Sequence, residues 1–365
     1  MAANHLRFSK VIDALPATVP FVAPEALERQ SGKPIELRLG ANESPFGISP
    51  KAMEAIRAEA AMGNFYGDPE SLELRTALAA KHGISLNQMA VGSGIDEILG
   101  WITRAFLDPG DTVVTSLGGY PTFNYHVTSF GGKLHFVPYT AEWKNDLAGL
   151  SQAARETHAR LVYLANPDNP TGTFYSAQAV MEFIESLPKD AVLILDEAYI
   201  EFADQSEVLP LSPVMDRVIR LRTFSKAYGM AGLRIGYAIS GPEIIAVFDK
   251  FRNHFGVNRV AQAGALAALE DTEFLEMVVE QTRVGRADLA MAAERHGHFA
   301  IPSSTNFLLT HVGSDARSSQ MVDELLVRGV FIRKPGILPL SECIRITIGT
   351  PTQHAKLLRA LDEVW

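Results

Sequence analysis

The chain has 365 residues, 47 % of them hydrophobic, and carries a net charge of −9. That is apolar material for a large core and two domains, with no basic patch that would favour nucleic acid. One cysteine, Cys343, excludes an intrachain disulfide framework, and no stretch reaches transmembrane length without charge.

The first twenty residues show no signal-peptide pattern, so a soluble cytoplasmic protein without a membrane partner is the expectation. Residues 1–45 read as an N-terminal arm that contributes to the small domain and to a dimer contact. Residues 50–62 and 71–82 read as amphipathic helices, with Pro50 suited to a first helical turn. A strand-then-helix rhythm begins near residue 89, and runs such as VLILD lack polar alternation, as strands covered on both faces do. Residues 46–245 are therefore expected to form a large domain of α/β class, a mostly parallel central sheet flanked by helices. Beyond it, residues 244–270 read as one long helical region and a second follows. The short strands NFLLTHV, VFIRK and CIRITIGT and a closing helix make 246–365 a smaller α+β domain.

The chemistry concentrates at strand ends. Asp196 closes VLILD, which puts a carboxylate at the C-terminal edge of a parallel strand, where α/β proteins place ligands. Lys226 and Ser225 follow another strand end, RTF, and Arg234 comes shortly after, in AGLRIGY. Gly94, Ile95 and Asp96, in GSGIDE, join a strand to a helix and offer backbone N–H groups as an anion seat. Tyr120 sits in GGYPTF, Asn169 precedes a Pro-Thr-Gly turn, and Tyr199 lies three residues beyond Asp196. Taken singly, each has a plainer reading: a loop acid, a solvated lysine, an ordinary turn. Together they supply what pyridoxal phosphate needs from a protein: a lysine for its aldehyde, an acid for its pyridine nitrogen, phosphate donors and a group against the ring. The ten histidines show no ligand spacing, so no metal is expected.

The stretches NESPFG (42–47), NFYGDPESLELR (64–75), GSGIDE (92–97), LANPDNPTG (164–172), LDEAY (195–199), RTFSKAYGMAGLRIGY (222–237) and IRITIGT (344–350) resemble the class I/II aminotransferases of the pyridoxal-phosphate fold type I, and among them the histidinol-phosphate branch. The resemblance implies that Lys226 holds the cofactor aldehyde and moves the substrate proton, and that Asp196 holds the pyridine nitrogen. Asn169 and Tyr199 would bond the ring oxygen and Tyr120 would stack on the ring. Gly94, Ile95, Asp96, Ser225 and Arg234 would surround the phosphate. It also implies that Tyr66 is lent by a neighbouring subunit, making a homodimer the active unit. Arg345 would grip the substrate's anionic group, Arg333 would be the second arginine of the histidinol-phosphate branch, and Asn42 would lie at the substrate site. Phe21 stands where the family usually has a substrate-facing tyrosine, which removes one hydroxyl. The activity implied is ping-pong transamination from histidinol phosphate to 2-oxoglutarate. An aromatic or other amino acid aminotransferase, a threonine-phosphate decarboxylase-like enzyme and a non-catalytic binding protein remain as alternatives.

Overall fold

The computed structural model describes residues 6–17 and 22–365. Its twelve strands are β1 (Leu37–Arg38), β2 (Met89–Gly92), β3 (Thr112–Ser116), β4 (Lys133–Val137), β5 (Leu161–Ala165), β6 (Val192–Asp196), β7 (Val218–Thr223), β8 (Gly236–Ile239), β9 (Phe299–Ile301), β10 (Phe307–His311), β11 (Val330–Phe331) and β12 (Cys343–Thr347). Seven of them form the central sheet, in the order β2-β8-β7-β6-β5-β3-β4. Strands β4, β3, β5, β6 and β7 run parallel, and β8 is antiparallel to both β7 and β2. Every residue of β5 and β6 is buried, which explains their unbroken apolar sequences. The chain passes from β3 outward to the edge strand β4, then returns to place β5 on the other side of β3. The crevice beyond the strand ends at this reversal is where open α/β sheets bind ligands.

A three-stranded antiparallel sheet, β12-β10-β9, follows in the last third of the chain. Its cluster of Leu308, Ile344, Ile346 and Leu357 also takes in Leu37 and Leu39 from the N-terminal segment. There β1 pairs in parallel with β11, and the Thr347 N–H donates to the Leu39 carbonyl at 2.8 Å. Cys343 is fully buried in β12, and burial pushes its thiol up to about 12, so it is an inert packing group. No helix among the described residues is long and apolar enough to cross a membrane.

Two expectations change. The helix predicted over 244–270 is two helices, Pro242–Phe248 and Arg259–Leu269. Asn258 ends the interruption by capping the second helix, its side chain accepting from the Ala261 N–H at 2.8 Å. The Gly256 carbonyl between them accepts from the Ser93 hydroxyl at 2.6 Å, so the break tethers the strand–helix turn at 92–95. Strand β8, hidden in the polar-looking string after Lys226, is fully buried and also went unpredicted. Phe21 lies outside the described residues.

Candidate active site

A cavity of about 380 Å³ opens at the C-terminal ends of the parallel strands. Its lining brings together Asn42, Ile95, Asp96, Tyr120, Asn169, Asp196, Tyr199, Ser225, Lys226, Arg234 and Arg333. These come from eight separate stretches of sequence, and the sheet order collects them.

Asp196 is 5 % exposed at the end of β6. One carboxylate oxygen accepts from the Ala198 N–H at 3.0 Å and the other from the Tyr163 hydroxyl at 2.7 Å. Among the described residues, no cationic side chain forms an ion pair with it. Burial therefore pushes its pKa up to about 6, against the two hydrogen bonds that favour the charged form. The next residue meets the opposite fate. Glu197 is buried between two guanidinium groups, with Arg220 at 2.5 Å and Arg222 at 2.9 Å, and its carboxyl is held below the usual range.

Lys226 is enclosed, with its Nζ 5.7 Å from the centre of the Tyr199 ring. Burial first, then the positive charge of Arg345, brings its ammonium down to about 8. About a tenth of the amine is then free at pH 7, several hundred times more than in an ordinary lysine, which favours a role as nucleophile and base. The Tyr199 hydroxyl accepts from Asn42 Nδ2 at 2.9 Å, which leaves its own proton available to a ligand. Asn42 adopts φ 55° to make that contact.

At the other end of the cavity the helix Ile95–Phe106 starts behind Gly94, whose φ is 83°. That φ is strained for any residue with a Cβ, and a Cβ on Gly94 would lie 2.5 Å from an Arg234 guanidinium nitrogen and push the end of the arginine away. Arg234 reaches Ser225 Oγ at 3.4 Å and Asp96 at 3.5 Å. The helix N–H groups, Ser225 and Arg234 form a seat for an anion. Tyr120 donates to the other Asp96 oxygen at 2.9 Å, which fixes its ring over the cavity mouth.

Arg345 stands behind Asn169 and is absent from the cavity surface. It donates to Asn169 Oδ1 at 2.5 Å and to the Gly40 carbonyl at 3.0 Å, while its buried Nε has no partner. A guanidinium only donates, so the amide oxygen of Asn169 faces Arg345 and its nitrogen is left as a donor. Arg333 pairs with Arg345 in an antiparallel bridge and donates to the Val22 carbonyl at 3.1 Å. Tyr66 is 80 % exposed, packs tilted against Phe255 with ring centroids 4.8 Å apart, and does not line the cavity of its own chain. Sequence reasoning missed Tyr163, Glu43 and Thr223, all of which line the cavity. Tyr163 was findable: it lies two residues before Ala165 on β5, so its side chain shares a face with that strand end.

The residues fit pyridoxal phosphate. A buried carboxylate without a cation suits a protonated pyridine nitrogen, the glycine-admitted arginine and helix start suit a phosphate, and an enclosed amine suits an aldehyde.

The comparisons agree with that chemistry. The model of the family "aminotransferase class I and II" matches residues 34–361. A histidinol-phosphate aminotransferase of Carboxydothermus hydrogenoformans is 36 % identical over 97 % of this chain and 98 % of its own. That of Akkermansia muciniphila is 37 % identical over 93 % and 96 %. The crystal structure of histidinol-phosphate aminotransferase from Sinorhizobium meliloti in complex with pyridoxal 5′-phosphate shares 46 % identity. It superimposes with a TM-score of 0.94 over 98 % of this chain and 97 % of that one.

The raised pKa of Asp196 has a stability consequence with a definite sign. Its folded value lies above its ordinary one, so folding disfavours the charged form, and the cofactor-free chain loses stability as pH rises through the interval between about 4 and about 6. Asp196→Asn removes that cost. Urea melts of the cofactor-free chains should show the variant more stable by ~1–3 kcal/mol at neutral pH, with the difference gone near pH 4. A variant less stable than wild type at neutral pH would contradict the assignment of Asp196 as an uncompensated charge. Fold, site and relatives converge: the chain belongs to the class I and II aminotransferases, pyridoxal-phosphate enzymes of fold type I, alongside the histidinol-phosphate aminotransferases.

Proposed function

We propose that this enzyme moves the amino group of histidinol phosphate to 2-oxoglutarate in a ping-pong transamination, using pyridoxal phosphate. The observation that carries the substrate reading is the arginine pair. Arg333 and Arg345 exchange both backbone hydrogen bonds, at 3.2 and 2.7 Å, so their side chains leave one face of the strand pair together. Arg333 lines the cavity, and its positive charge weighs on Arg345. A second arginine on the same face as Arg345 suits a dianionic phosphate better than a lone carboxylate.

The cofactor, when bound, supplies an aldehyde that captures amines and a ring that takes up the electron pair left by a broken Cα–H bond. The protein does the rest. Asp196 would hold the pyridine nitrogen in its charged form. Asn169 and Tyr199 would donate to the ring oxygen, and Ser225, Arg234 and the start of the helix Ile95–Phe106 would hold the phosphate. Lys226 Nζ would release the aldehyde to the incoming amine, take the proton from the donor's Cα and later return it. Arg345 would orient the donor by its anionic group, and Arg333 would add the second contact that a phosphate uses. The same residues would then receive the oxo acid and run the steps in reverse.

The first test is a half-reaction without oxo acid, followed by the cofactor's absorbance. Histidinol phosphate and glutamate should each convert the bound cofactor to its amine form. Conversion by phenylalanine or tyrosine but not by histidinol phosphate would make this an aromatic aminotransferase. Release of CO₂ from threonine phosphate would make it a decarboxylase.

The arginine pair gives a sharper test. Arg333→Gln should raise KM for histidinol phosphate ~10–100-fold, the worth of a lost charge-assisted contact, and leave KM for glutamate within ~threefold. Equal effects on both donors would remove the phosphate role from Arg333.

We further propose a cytoplasmic homodimer in which Tyr66 completes the neighbouring site. Phe65, Tyr66 and Phe255, 58 %, 80 % and 51 % exposed, form an apolar patch that a second copy would cover. Light scattering at micromolar concentration should return twice the chain mass of 39.8 kDa. A monomer with full activity would rule out the shared site.

A further inference from the structure

Tyr163 is a residue that no motif pointed to, and it touches the one atom group on which the cofactor's electronic behaviour turns. Strands β5 and β6 run parallel with Ala165 opposite Asp196. Tyr163 is two residues earlier on β5, so its side chain leaves the same face of the sheet, one step diagonally from Asp196. Its ring is 3 % exposed and stacks on Phe123 from the helix Pro121–Ser129, with centroids 4.9 Å apart and planes 21° apart. That packing leaves the hydroxyl little freedom. It donates to Asp196 at 2.7 Å, and the Ala198 N–H holds the other oxygen. A carboxylate only accepts, so the direction of the Tyr163 bond is fixed while Asp196 is charged. Burial drives Asp196 toward protonation, and the hydrogen bond from the Tyr163 hydroxyl is the largest influence opposing it.

We propose that Tyr163 is a positioning residue for the cofactor's pyridine nitrogen: its hydroxyl keeps the Asp196 carboxylate ionised and aimed, so that Asp196 can hold that nitrogen protonated. This rests on the reading that the site takes pyridoxal phosphate. The role is distinct from that of Tyr120, whose hydroxyl is spent on Asp96 at the phosphate end, and from that of Tyr199, whose hydroxyl meets Asn42. The three tyrosine hydroxyls thus meet three different partners, Asp96, Asn42 and Asp196.

The test is cofactor binding, read as dissociation constants by absorbance and fluorescence titration of full-length cofactor-free protein. Two ligands are compared: pyridoxal phosphate, and its 1-deaza analogue, in which a C–H replaces the ring nitrogen. Tyr163→Phe keeps the ring and its stacking on Phe123. It should weaken pyridoxal phosphate roughly tenfold or more, the worth of a hydrogen bond to a charged group, and change the deaza analogue by less than about twofold. A purely structural tyrosine would weaken both ligands alike, and that result overturns the proposal, as does an unchanged affinity for pyridoxal phosphate. A double-mutant cycle covers the case of a poorly folded variant. With Asp196→Asn as the background, Tyr163→Phe should cost no further affinity, and a full additional loss overturns the proposal. If the wild-type chain binds neither ligand, the functional reading falls first and this inference with it.

Discussion

The site depends on one unsettled charge. Asp196 is a carboxylate taken out of water with two hydrogen bonds and, among the described residues, no cation, and unlike the other buried acids it opens onto the cavity, where a ligand can complete it. Its position dictates much else. It needs the end of a strand buried on both sides, hence the wholly buried β5 and β6. It needs polar groups that reach it without neutralising it, hence a tyrosine hydroxyl and a backbone N–H in place of an arginine.

Around that point the sheet works as a collecting device. Successive parallel strands deliver Tyr120 after β3, Asn169 after β5, Asp196 on β6 and Lys226 after β7 to one crevice. The antiparallel β8 then returns the chain so that Arg234 meets Gly94 at the opposite end. The last third of the chain adds Arg345, which grips Asn169 directly, so the arginine and the amide are parts of one hydrogen-bonded unit. An anion that draws on Arg345 is thereby felt at Asn169.

Much of this was legible because the informative residues are local in sequence. A carboxylate ending an apolar run, a lysine after a second strand and a glycine turn before a helix announce themselves through spacing alone. What was not legible depends on contacts across the fold. Tyr163 reads as one more apolar strand residue until the β5–β6 register puts it beside Asp196. The break at 249–258 carries no helix-breaking proline, and only its tethers to Ser93 and Ala261 explain it. Strand β8 follows a stretch dense in glycine and polar residues, where turn signals mask the short apolar run. Arg345 lies on β12 and Arg333 two residues beyond β11, and the isolated bridge that joins them links elements of two different sheets, which the sequence does not announce.

The neighbouring acids Asp196 and Glu197 illustrate how strictly such a site counts residues. Along an extended chain they face opposite sides, and the two sides are chemically unlike: one is an open cavity, the other holds Arg220 and Arg222. A slip of one residue would hand the arginine clamp an aspartate too short to reach and leave the cavity a glutamate too long for its tyrosine. The two positions hold acids of the same sign and nearly the same size, yet they are not interchangeable. An insertion or deletion within this strand would exchange the two environments, whereas a substitution on its flanks would not, so the strand's length is itself a constraint on the site.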